Sequence, residues 1–146
     1  MEDQLLVIRE YQGEGYRPLI DFGAWRVAIL RWEPGSRAEE IRSMERHTQT
    51  DEVFVLLEGW ATLVIGGNQG KVDGIQAKVM ASGKLYNVKQ NTWHAALLSR
   101  DASILIVENC DTGASNSEFY QLTAEQRQVI RGLTFHQQGT MLGKEG

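Results

Sequence analysis

Apolar residues fall in short runs separated by glycine, asparagine and aspartate, a rhythm of strands and tight turns rather than of helices. The run 24–32, rich in tryptophan, valine, isoleucine and leucine, reads as a strand stopped by Pro34-Gly35. Runs 52–58 and 61–65 flank Gly59-Trp60 and predict two antiparallel strands, ended by a glycine-rich break at 66–70. Further strand-length runs occupy 77–80, 85–88, 92–98 and 103–108. So many strands without intervening helical periodicity predict an all-β sandwich or barrel.

One helix stands out near the C-terminus. Thr123 followed three residues later by Gln126 forms a capping box ahead of an amphipathic stretch that Gly132 should stop, predicting a helix over about 123–131. The charged segment 36–44 suits either a solvated helix or an edge strand. Residues 139–146 lack periodicity and are expected to be loose.

Composition narrows the function classes. The 146 residues, 42% hydrophobic and 23% charged, suit one domain over the whole chain and argue against disorder. A net charge of −4 with mixed signs offers no basic patch, so nucleic acid is not an expected partner. No apolar stretch reaches the roughly 20 residues of a membrane span, and the acidic start Met1-Glu2-Asp3 is unlike a secretory signal. The lone Cys110 cannot form an internal disulfide, so a cytoplasmic location is expected.

Candidate chemistry concentrates in residues 45–59 and 83–98. In a strand, alternate residues share a face, so Glu45 and His47 point together while Arg46 points away. Glu52, Phe54 and Leu56 share another face, and Thr92, His94, Ala96 and Leu98 a third. Polar ligand-type groups thus stand among apolar ones. Read alone, His94 beside Trp93 is also the pattern of a hydrogen-bonded core histidine, and Glu45 can pair with Arg42 or Arg46 at the surface. Asp51, on the face opposite Glu52, reads as solvated or turn-forming, and His136 as a surface or docking histidine. Trp25, Trp32, Trp60 and Trp93 read as core or subunit-interface aromatics, or as cavity lining. Tyr86 and Arg26 are candidate substrate-binding donors on the cavity wall, and Phe54 a candidate apolar contact.

The spacing of these residues resembles the cupin superfamily. Its first motif, His-x-His, then Glu, then Gly, aligns with His47, Glu52 and Gly59, with Glu45 where the first histidine would stand. Its second motif, Gly, Pro-x-Gly, His and Asn, aligns with Gly83, Lys89, Asn91, His94 and Leu98. Asn91 in a glycine position is compatible with a left-handed turn, because asparagine enters that conformation at modest cost. The resemblance covers about residues 24–109 and implies a double-stranded β-helix (jelly-roll) barrel, commonly paired as a homodimer. It further implies a divalent metal, Zn, Mn, Fe or Ni, held by His47, Glu52 and His94, with Glu45 as fourth ligand or as a nearby acid/base. The function implied is binding of a small oxygenated metabolite, with isomerisation, oxygenation or decarboxylation as candidate reactions. The alternative is a non-catalytic binding or sensing barrel without a working metal.

Overall fold

The computed structural model describes residues 5–133. The ten strands are β1 Gly15–Phe22, β2 Trp25–Arg31, β3 Ser43–His47, β4 Glu52–Glu58, β5 Ala61–Ile65, β6 Gln76–Val79, β7 Tyr86–Val88, β8 His94–Leu98, β9 Ser103–Asn109 and β10 Ser117–Gln121. They form two five-stranded sheets, ordered β1-β2-β9-β4-β7 and β10-β3-β8-β5-β6, with every pairing antiparallel. This is the expected jelly-roll barrel.

Period-two alternation builds the first sheet. Phe54 and Leu56 of β4 and Ile104 and Ile106 of β9 turn inward and meet Ala61, Leu63 and Leu98 from the second sheet, forming a core between the two sheets. The second sheet is covered on both faces, so β5 is buried at Ala61, Thr62, Leu63 and Val64 without alternation. Its outer face carries Met44, Val64, Trp93 and Leu97, closed by Leu122 and by Ile130 of the C-terminal helix. Burying Ile130, 1% exposed, stabilises this docking by about 1.5–3 kcal/mol.

The helix begins as its capping box predicts: the Thr123 N–H donates to Gln126 Oε1 (2.9 Å) and the Gln126 N–H to Thr123 Oγ1 (3.1 Å). It runs through Gly132 to the last described residue, 133, beyond the expected stop. The ambiguous segment is neither a helix nor one strand; it forms 3-10 turns at Pro34–Ser36 and Ala38–Glu40 and then enters β3. Strands β1 and β10 were not expected. β1 is an edge strand, which tolerates Pro18 and its missing N–H, and its pairing shifts register between Pro18 and Ile20. Most of its residues are exposed, which removes the alternation by which a strand is recognised. Among the described residues no helix is long and apolar enough to cross a membrane. The expectations for His136 and for residues 139–146 lie outside the described residues.

Candidate metal centre and cavity

Between the sheets, beyond the core, lies a cavity of about 410 Å³. Leu30, Phe54, Ala96, Leu98 and Ile106 supply an apolar wall; Glu45, His47, Glu52, His94, Glu108 and Tyr16 supply the polar groups. The alternation expected along β3 holds. Glu45 and His47 face the cavity, whereas Arg46 turns out to Glu118 (2.7 Å) and over the Trp93 ring (4.4 Å to its centroid).

Three loops bring the ligand-type residues together. Asn91 adopts φ +66 and donates its N–H to the His47 carbonyl (2.8 Å), docking the β7–β8 turn onto the end of β3. Asp51 holds the same turn through the Gln90 N–H (2.8 Å), Asn87 Nδ2 (3.2 Å) and Lys89 Nζ (3.0 Å). Those contacts, with the Gln90 N–H first among them, keep its carboxyl below the usual carboxylate range. Gly59, φ +71, closes the β4–β5 turn against the Ala102 backbone, where a Cβ would stand 2.8 Å from Cα.

At the centre, His47 Nε2 and His94 Nε2 converge on one oxygen, Glu52 Oε1, at 3.1 and 3.0 Å. All three residues are buried. Burial opposes charge on each, yet the imidazoles hold the Glu52 carboxyl far below its ordinary range, and Glu52 in turn raises both histidines. Glu108 lies beside Glu52; burial, then the hydrogen bond and charge of Glu52, push its carboxyl up to about 7. Its other partner is the Tyr16 hydroxyl, which donates to Glu108 Oε2 and is itself raised by burial and by that carboxylate.

The donor set fits a divalent ion. His94 Nδ1 stands 2.9 Å from the Thr92 carbonyl, which only accepts, so Nδ1 carries the hydrogen and a neutral ring directs its Nε2 lone pair at Glu52 Oε1. Lone pair facing carboxylate is unfavourable unless a proton or a cation lies between them. With Nε2–Oε1 separations of 3.1 and 3.0 Å, the three side chains stand close enough that they would share one divalent ion. His47 Nδ1 lies 2.8 Å from Ser117 Oγ, a hydroxyl that accepts the Nδ1 hydrogen when the Nε2 lone pair faces a cation. Candidate ligand atoms of Glu45, His47 and His94 lie within 4.8 Å of one another, as do those of His47, Glu52 and Glu108.

Of the residues singled out in the sequence, Glu45, His47, Glu52, His94 and Phe54 meet in this cavity. Arg26 and Tyr86 stand outside its lining. Arg26, half-buried beside Glu108 (3.7 Å), donates to the Cys110 and Thr112 carbonyls and reaches Asp21 (3.3 Å). The Tyr86 hydroxyl accepts the Ala81 N–H (2.8 Å) and its ring packs on the core. Sequence reasoning missed Glu108, Tyr16 and Ser117. For Glu108 a signal existed: it shares a strand face with Ile104 and Ile106, so an acid closes an otherwise apolar inward row.

The family model for ureidoglycolate lyase matches residues 14–129. No curated protein matches the chain by sequence. Among solved structures, a cupin-2 domain containing protein from Shewanella frigidimarina is 21% identical, with 73% of this chain and 98% of that one covered at a TM-score of 0.50. The nucleoside dehydratase Pac13 of Streptomyces is 11% identical, covering 79% and 86% at a TM-score of 0.54. At such identities these structures speak for the fold.

Proposed function

The chain belongs to the ureidoglycolate lyase family of the cupin superfamily, and on that premise we propose that it is a metal-dependent lyase of a small ureido-substituted 2-hydroxy acid. The observation that carries this reading is the convergence of His47 Nε2 and His94 Nε2 on Glu52 Oε1 at 3.1 and 3.0 Å. His47, Glu52 and His94 would hold the ion, with Glu45 within 4.8 Å of both imidazoles as a further ligand. When bound, the ion supplies positive charge that polarises substrate oxygens.

The remaining residues carry the proton work. In such a substrate the O–H bond of the carbinol breaks, its electron pair forms the carbonyl, and the C–N bond pair leaves with the urea nitrogen, which takes up a proton. Glu108 faces the cavity next to Glu52 and accepts the Tyr16 hydroxyl, so it is placed to take the hydroxyl proton and return it to the nitrogen. Phe54, Leu98 and Ile106 exclude water from the reacting carbon. The homodimer belongs to this proposal as well: exposed Phe22 and Trp25, with ring centroids 6.1 Å apart, offer an apolar patch to a second copy. Sedimentation of a monomer at all concentrations overturns that part.

The test combines elemental analysis of protein purified without chelator or added metal with an assay of urea release from ureidoglycolate. Near-stoichiometric metal and urea release, both absent from a His47→Ala, His94→Ala variant, are expected. Metal-free protein whose melting temperature ignores added Zn, Mn, Fe and Ni, and which releases no urea, sinks the reading. Metal without turnover reduces it to the binding barrel.

A further inference from the structure

We propose that a second cavity, of about 490 Å³, binds a small organic oxyanion attached to a flat ring. The cavity lies across the wall formed by Ser36 and Leu98, two residues that line both cavities. Trp32, Trp60, Arg37, Arg100, Arg131 and Glu39 supply its aromatic and charged groups.

Charge is the first argument. Three guanidinium groups against one carboxylate leave this lining at +2 in a chain of net charge −4. Glu39 Oε2 pairs with Arg37 Nε at 3.4 Å, while Arg131 Nη2 reaches only the Glu39 backbone carbonyl (3.1 Å). Among the described residues, neither Arg100 nor Arg131 has a carboxylate partner. Cations gathered in a concave site of an acidic protein, without balancing acids, mark a place where an anion is favourable.

Geometry is the second argument. The Arg100 guanidinium lies over the Trp32 ring, 4.4 Å from its centroid. Stacked in this way, its flat fork keeps in-plane N–H donors free for a bidentate carboxylate or phosphate. Trp60 supplies a second indole, which suits a planar ring better than an aliphatic chain. The volume lies within the range of about 300–1,000 Å³ typical of small-molecule sites. The site does not depend on the metal centre.

Calorimetric titration of the full chain with adenosine monophosphate and with nicotinate, a ring phosphate and a ring carboxylate, tests the proposal and separates the two sources. Either probe is expected to saturate with a dissociation constant below about 1 mM. Adenosine alone and inorganic phosphate alone should bind at least about tenfold more weakly, because each keeps only half of the contacts. Arg100→Gln and Arg131→Gln should each weaken the whole probe about tenfold or more. Both are exposed side chains, and an unchanged thermal melt verifies that each variant is folded. A His47→Ala, His94→Ala variant should bind as the wild type does. Absence of saturation by either probe, equal binding by the arginine variants, half-probes as tight as whole ones, or loss of binding in the histidine variant would each overturn the assignment.

Discussion

Replacing Ser117 by alanine should weaken metal binding much more than it weakens the fold. Ser117 lies on β10 directly opposite His47 in register, and its Oγ stands 2.8 Å from His47 Nδ1. When the Nε2 lone pair faces a metal, Nδ1 carries the hydrogen and Ser117 accepts it; without the hydroxyl, the ring loses both its tautomer preference and its orientation. Losing one hydrogen bond costs the apoprotein about 1 kcal/mol. Removing the partner that orients a metal-bound histidine typically costs about 10–100-fold in affinity, or about 1.4–2.7 kcal/mol. The assay is competition for Zn against a chelator of known affinity, with urea unfolding of the chelator-stripped protein run in parallel. Ser117→Thr keeps the hydroxyl and should recover most of the affinity. Unchanged zinc affinity in Ser117→Ala refutes the reasoning, as does a loss that Ser117→Thr fails to rescue.

Glu108→Gln should keep its metal and lower kcat for urea release by about 100-fold or more; loss of metal would instead make Glu108 a ligand, and full activity would remove it from the proton path. Gly59→Ala should lose more than about 2 kcal/mol in urea unfolding, because the left-handed backbone and the 2.8 Å approach to Ala102 Cα both oppose a Cβ; a loss under 1 kcal/mol contradicts this. Asp51→Ala should lose about 1 kcal/mol at neutral pH, a modest figure because solvent screens this partly exposed carboxylate. Since the folded state lowers its pKa, that stability is present above the unfolded value and fades as acid protonates the folded carboxyl. The wild-type advantage over Asp51→Ala must therefore shrink on acidification, and an advantage that grows would disprove the assignment.

Local sequence determined a large part of this protein. Alternation alone sent Glu45 and His47 to one side and Arg46 to the other, because successive residues of a strand cannot face the same way. The Thr123 and Gln126 capping box and the left-handed Asn91 were equally local, since each depends on a few neighbouring dihedral angles. Tertiary structure decided which strands became neighbours. Ser117 reaches His47 from 70 residues away, and Tyr16 reaches Glu108 from 92. Neither contact leaves a periodic trace, because β1 and β10 are edge strands whose alternation is blurred by exposure. The same limit explains Arg26, whose carbonyl partners at Cys110 and Thr112 lie 84 and 86 residues away, whereas the Tyr86 hydroxyl is held locally by the Ala81 N–H. The residue types and faces of the ligand-type side chains were thus written locally, whereas the Ser117 and Tyr16 hydroxyls that meet them came from long-range pairing of the sheets.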